Sequence, residues 1–111
     1  MEYAYLIGLI DGDGWVCKYN RDGRVAIGLV GASLELLEWV KCKFNNIFNT
    51  GYKVIKPKNK NYYYIAIQGK YAAVIIDYLR QFNVPKLSRK WENPEILEYI
   101  NKQKVREYLN K

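Results

Sequence analysis

The sequence predicts an α+β domain with the element order αββαββα and one further helix, in which a four-stranded antiparallel sheet carries its helices on one face. Two observations predict this. A unit of two short alternating runs around a turn, followed by a helical stripe, occurs twice, and both copies follow a first helix that is apolar on every side. The third observation is length: 111 residues suffice for one hydrophobic core and are too few for two ordinary domains, so residues 1–111 are expected to form a single domain.

Residues 3 to 10, Tyr3-Ala4-Tyr5-Leu6-Ile7-Gly8-Leu9-Ile10, contain no proline and no polar face, as in a helix buried all round. A small domain rarely buries a helix completely by itself. Gly8 and Gly12 stand four apart, hence on one helical face, and would let another backbone approach closely, so this face is expected to be a helix-to-helix seam between two copies. Residues 15 to 20 and 24 to 31 flank Asn20-Arg21-Asp22-Gly23, a turn with glycine where positive φ is wanted, and read as a β-hairpin with Val25, Ile27 and Leu29 on one face. Ser33 is an expected N-cap, with Glu35 in the first turn, for a helix whose stripe is Leu34, Leu37, Val40 or Lys41, Phe44 and Phe48. The pattern then repeats: residues 51 to 57 and 62 to 68 flank Lys58-Asn59-Lys60-Asn61, and a helix from 70 to 82 places Tyr71, Val74, Ile75, Tyr78, Leu79 and Phe82 at helical spacing. Residues 83 to 92, with Pro85 and a Lys-Leu-Ser-Arg-Lys run, read as a connector, and Asn93-Pro94 as the N-cap and first-turn proline of the last helix.

Composition narrows the chemistry. No apolar run is long enough for a membrane span or a secretory core, so the expectation is an intracellular protein with no membrane partner. Cys17 and Cys42 sit in no CxxC spacing and the sequence has no histidine, which removes His-ligated zinc, His general bases and Ser/His or Cys/His nucleophiles. Carboxylates, lysines and a metal remain. The net charge of +7 is uneven: residues 1 to 50 hold five basic and six acidic side chains, residues 51 to 111 thirteen and five. With eleven tyrosines and three tryptophans, this balance suggests a polyanionic partner, nucleic acid before membrane. The free sheet face offers Trp15, Tyr19, Arg21, Arg24, Lys56, Tyr62, Tyr64 and Gln68, depending on register, and Lys53, Lys56, Lys58 and Lys60 suit phosphate contacts.

The first helix ends in Asp11-Gly12-Asp13-Gly14, two carboxylates beside carbonyls that already carry partial negative charge. Such an end asks for a compensating cation, and oxygen-only ligands suit a hard ion such as Mg²⁺. An ordinary Asp-Gly turn has the same tetrapeptide. An EF-hand loop does not fit, because Val16 stands where the sharp-turn glycine belongs and Asp22 where the bidentate glutamate belongs.

Leu6-Ile7-Gly8-Leu9-Ile10-Asp11-Gly12-Asp13-Gly14 resembles the nine-residue LAGLIDADG signature, with departures at Ile7 and Gly12, and the order of elements fits as well. The chain is thereby identified as similar to the LAGLIDADG homing endonucleases, in the type with one motif per chain. The resemblance implies a homodimer whose motif helices form the seam, with Leu6, Gly8, Leu9, Asp11 and Gly12 in it, and sheets that form a saddle in the major groove of double-stranded DNA. It implies divalent metal at Asp13 and the Gly12 carbonyl: Mg²⁺, with Mn²⁺ substituting and Ca²⁺ supporting binding without cleavage. Asp11 would fix the helix end. The implied reaction is in-line attack of an activated water on a phosphodiester, once on each strand.

The resemblance further implies a lysine near the scissile phosphate, which counting from Pro85 assigns to Lys90, with Arg89 and Lys86 as alternatives. Where many relatives have a polar water-positioning residue, often glutamine, this chain has Ser33, which can equally be only an N-cap. The motif register turns Trp15, Cys17, Tyr19 and Arg21 toward DNA, with Arg24, Ala26, Gly28 and Val30 beside them, a set with few base readers. Either the register is offset by one, or recognition uses phosphates, shape and thymine methyls. Strands of about eight residues at roughly 3.3 Å each follow the groove for about 26 Å, or about eight base pairs per subunit, so a dimer wants a long, near-palindromic site. Two rival functions share the fold: a DNA-binding protein that does not cut, and a maturase acting on intron RNA. The richness in Lys, Asn, Ile and Tyr suggests an AT-rich genome, with a cytoplasmic or organellar home.

Overall fold

The computed structural model describes residues 2–49 and 51–103. Its elements are α1 (Glu2–Asp13), β1 (Gly14–Lys18), β2 (Val25–Gly31), α2 (Leu34–Ile47), β3 (Tyr63–Gln68), α3 (Gly69–Arg80), α4 (Ser88–Trp91) and α5 (Pro94–Gln103). The three strands form one antiparallel sheet in the order β1-β2-β3, with Val16 opposite Ile27 and Ile27 opposite Ile67.

The α+β arrangement is as expected, but the described residues form three strands rather than four. The stretch expected as a strand over 51 to 57 meets the sheet in a single bridge, where Ile55 and Tyr64 exchange backbone hydrogen bonds of 2.7 and 2.8 Å. The next hydrogen-bonded pair along such a ladder would set Pro57 against Tyr62, and proline has no N–H to give. Alternation alone cannot report this. Tyr52 and Val54 still pack against the core, as the inward members of a strand would.

Burial follows the strand period in β1 and β3, whereas β2 is buried at every position from Val25 to Leu29, on both faces. Val16, Val25, Ile27, Leu29, Ile65 and Ile67 are buried beneath the helices with Leu37, Val40 and Phe44 of α2 and most of α3. Each such side chain contributes roughly 1.5–3 kcal/mol of apolar burial. Two stripe residues differ from expectation. Leu34, the first residue of α2, is 46% exposed, and Tyr71 is 40% exposed, its ring against Phe48. The segment read as a connector over 83 to 92 contains α4, and Trp91 of that helix is completely buried.

The caps are as the sequence implies. Ser33 accepts a hydrogen bond from the Leu36 N–H at 3.1 Å, and Asn93 Oδ1 accepts from the Glu95 N–H at 2.9 Å ahead of Pro94. Between α1 and β1 there is no loop. A Cβ on Gly14 would lie 2.3 Å from the Gly28 carbonyl oxygen and 3.0 Å from Ile10 Cα, so only glycine fits where the helix turns directly into the sheet.

Candidate metal centre and nucleic-acid interface

The motif helix has two unlike sides. Leu6, Ile7 and Ile10 are fully buried in the chain's own core, whereas Tyr5, Gly8 and Gly12 are exposed and Leu9 is half-buried. Of the residues expected in a seam, Leu6 therefore presents no surface. Gly8 and Gly12 do, and a Cβ built on either meets nothing within 4 Å among the described residues, so there this strip is bare backbone.

At the C-terminal end, the two aspartates have separate fates. Asp11 points inward: Trp91 donates its indole N–H to Oδ1 at 2.7 Å, and the Leu87 N–H donates to Oδ2 at 3.0 Å. Asp13 is exposed. Lys90 sits beside them, but its ammonium donates to the carbonyls of Ile10 (2.9 Å), Asp11 (3.0 Å) and Gly14 (3.1 Å). These three bonds match the three N–H groups of an ammonium, so contact with a phosphate would require Lys90 to release one carbonyl. The other candidates for that lysine differ again. Lys86 donates to the carbonyls of Phe82 and Val84, closing the turn after α3, and Arg89 is exposed.

Among the described residues no three His, Cys, Asp or Glu side chains come together as a metal cage. The oxygen donors present fit a hard divalent ion as part of its shell: one exposed carboxylate, Asp13, and the Gly12 carbonyl at a helix end where lone pairs point outward. Asp13 and the Gly12 carbonyl would thus hold only part of that shell.

The helix-free sheet face carries Trp15, Cys17, Ala26, Gly28, Val30, Tyr64, Ala66 and Gln68, which are cross-strand partners. This is the register expected for the motif, with no offset. Its centre is closed and apolar: the Trp15 ring lies over Gly28, where a Cβ would come within 2.3 Å of it, and burial there pushes the Cys17 thiol above its usual pKa. Trp15 Nε1 is buried and has no hydrogen-bond partner among the described residues. The polar side chains gather at the far end, where Tyr19, Asn20, Arg21 and Gln68 line a hollow of about 450 Å³. Arg24 is beside it, drawn loosely to Asp22 at 3.8 Å. Lys53, Lys56, Lys58, Lys60 and Tyr62 are all exposed along the stretch that makes the single bridge.

A family model described as a LAGLIDADG-like domain matches residues 1–111. The chain belongs to that family. No curated protein matches this LAGLIDADG-like domain. Among solved structures, it is similar to the LAGLIDADG meganuclease I-AabMI bound to uncleaved DNA, with a TM-score of 0.61 and 18% identity over 97% of this chain and 38% of that one. It is also similar to the homing endonuclease I-CvuI in complex with its target in the presence of Ca, with a TM-score of 0.56 and 12% identity over 93% of this chain and 66% of that one. A second I-CvuI structure, with uncleaved DNA in the presence of Mg, gives 0.51 and 10% identity over 98% and 80%. At these identities the likeness is one of fold. The LAGLIDADG-like domain thus spans about two fifths of the I-AabMI chain and about two thirds of the first I-CvuI chain.

Sequence reasoning missed Trp91 and Asp77. A large aromatic in a segment otherwise polar was the available sign for Trp91. Asp77 is a fully buried charge on α3, met by Arg80 Nη1 at 3.1 Å and Gln81 Nε2 at 3.3 Å, while Arg80 reaches on to Glu92 at 3.2 Å. It lies in the apolar face of its helix, and nothing in the local sequence marks it as structural rather than solvated.

Proposed function

We propose that this LAGLIDADG-like domain is a divalent-metal-dependent endonuclease that cuts double-stranded DNA as a homodimer on a long, near-palindromic site. The observation that carries the reading is the end of α1. It presents one exposed carboxylate, Asp13, next to a strip of bare glycine backbone, and no group of three metal-ligating side chains forms there among the described residues. A second copy packed on Gly8 and Gly12 would bring a second Asp13 close by, and DNA phosphates would supply the remaining oxygens. The relatives in the solved structures are described with DNA, two of them with Ca or Mg present.

Asp13 and the Gly12 carbonyl would hold Mg²⁺, with Mn²⁺ able to replace it and Ca²⁺ supporting binding alone. The bound ion supplies Lewis-acid stabilisation of the phosphodiester and lowers the pKa of a water. Ser33 keeps its hydroxyl proton to donate while its oxygen caps α2, so capping and orienting a water are compatible roles. Tyr19, Arg21, Arg24 and Gln68 are the direct readers at the far end of the sheet, where hydrogen-bonding side chains can meet base edges. The closed centre under Trp15 reads by shape and methyl contact, and Lys53, Lys56, Lys58 and Lys60 bind phosphates, which makes binding strongly salt-dependent.

The test begins with a randomised duplex library bound in Ca²⁺ and then switched to Mg²⁺, with Asp13→Asn in parallel. Cleavage by the wild type alone, at a two-fold symmetric sequence, is expected. Selective binding by both proteins with no cleavage by either would make the domain a DNA-binding descendant, the reading favoured by the short side chain at Ser33. Loss of binding in Asp13→Asn would sink the purely metal-binding role of that residue.

A further inference from the structure

The end of α1 is gripped from one side by Lys90 and Trp91 of α4 and by its N-cap residue Leu87. Trp91, among the largest fully buried side chains, holds Asp11 Oδ1, and the Leu87 N–H at the start of α4 holds Oδ2. Lys90 holds the carbonyls of Ile10 and Asp11, two of the last four in α1, together with that of Gly14. Both oxygens of Asp11 are thus bound by one short element, while the Asp13 carboxylate and the Gly12 carbonyl lie between the gripped points and outside these bonds. An indole N–H and an ammonium donate and do not accept, so each fixes the oxygen it faces. The ammonium also offsets the negative end of the helix, which the two aspartates make more negative still.

We propose that Trp91 and Lys90 are positioning residues for the metal-binding pair. Acting through Asp11 and the three carbonyls, they hold the backbone from Ile10 to Gly14 in the geometry that presents Asp13 and the Gly12 carbonyl together. The proposal rests on the reading of Asp13 as a metal ligand. It separates Lys90 from a direct duty on the phosphate, because Trp91 is buried and can act only through Asp11; a shared effect of the two residues identifies the clamp.

The experiment uses the full chain labelled with ¹⁵N, titrated with Mn²⁺ while the broadening of the Gly12, Asp13 and Gly14 amide signals is followed. Wild type is compared with Trp91→Phe, Lys90→Met, Lys90→Arg and Asp13→Asn, each checked for cooperative thermal unfolding. Trp91→Phe and Lys90→Met are each expected to need about tenfold more Mn²⁺ for half-maximal broadening, as partners of ligating groups commonly do. Lys90→Arg, which keeps charge and donors, falls between them and wild type. On a cleavable site the same two variants should need more Mg²⁺ yet approach the wild-type rate at saturation. If both fold and their Mn²⁺ requirement equals wild type while Asp13→Asn remains defective, the clamp is wrong and the metal reading stands. If Asp13→Asn matches wild type, both fall. A Lys90→Met that keeps the wild-type metal requirement but loses rate at saturating Mg²⁺ acts on the phosphate instead. Should Trp91→Phe not fold, Lys90→Met and Lys90→Arg decide.

Discussion

The two sides of α1 differ in both their residues and their surroundings. On one, Leu6, Ile7 and Ile10 are sealed into the core. On the other, Tyr5, Gly8 and Gly12 face outward, with Tyr5 leaning edge-on to Trp39 at 5.5 Å. The inner side is explained by this chain alone. The outer side is not, since an apolar helix with a strip of glycines costs conformational entropy without any return inside one copy. The difference teaches that burial in this chain's core accounts for the inner side of the helix, and the outer side is where the proposed second copy would pack.

Substitutions can break this contrast at either side. The largest effect is expected from Ile10→Ala, which empties core space and should lower the unfolding free energy by about 2–5 kcal/mol. Denaturant titration at two protein concentrations would show the same loss at both. Gly8→Leu should do the reverse: folding of the dilute chain is unharmed, because nothing lies within 4 Å, while self-association weakens by an overpacking cost of about 1–3 kcal/mol. Sedimentation across a concentration series checks it, and an unchanged association would remove Gly8 from the seam. Ser33→Ala removes the α2 cap beside the hollow lined by Tyr5, Ser33, Glu35, Leu36 and Trp39, and should cost about 1 kcal/mol by thermal or chemical unfolding.

The smallest effect belongs to Glu2→Gln at the start of the helix. Glu2 pairs with Lys43 at 2.9 Å, and its carboxyl is held below the ordinary 4.5, first by the hydrogen bond from Lys43 and then by that ammonium's charge. A lowered carboxyl pKa stabilises the fold above its ordinary value and loses that contribution as pH falls through the lowered one. The variant should therefore melt slightly below wild type at neutral pH, with the gap closing in acid and shrinking in salt.

Most of the architecture was legible because it depends on period and punctuation. The hairpin around Asn20 to Gly23, the Ser33 cap, the two helical stripes and the Asn93-Pro94 start are local signals, each read within one turn or strand. The missing strand was not legible from alternation, since Tyr52 and Val54 alternate correctly and the obstacle, Pro57 without an N–H, matters only once the register sets it against Tyr62. The site divides in the same way. Asp13 and the bare glycines follow from the motif and helical geometry. What Lys90 touches depends on a chain reversal that returns residue 90 to within 3 Å of residue 10, which no local pattern reports. Asp11 and Trp91 meet for the same reason, eighty positions apart.

The direct passage from Asp13 to Gly14 works as a ruler without slack. One peptide bond joins the residue proposed to hold the metal to the first residue of the strand proposed to read, and the Gly28 carbonyl leaves no room for a side chain at that joint. The offset between recognised bases and severed bond would then be a constant of the backbone, carried unchanged through any reshuffling of side chains on the sheet. An insertion of one residue at this joint would do more than lengthen that offset: it would invert the strand, sending Trp15 and Cys17 into the core and Val16 into the groove. Under the proposed function, target preference would drift with the sheet's side chains while the spacing of the cut would not.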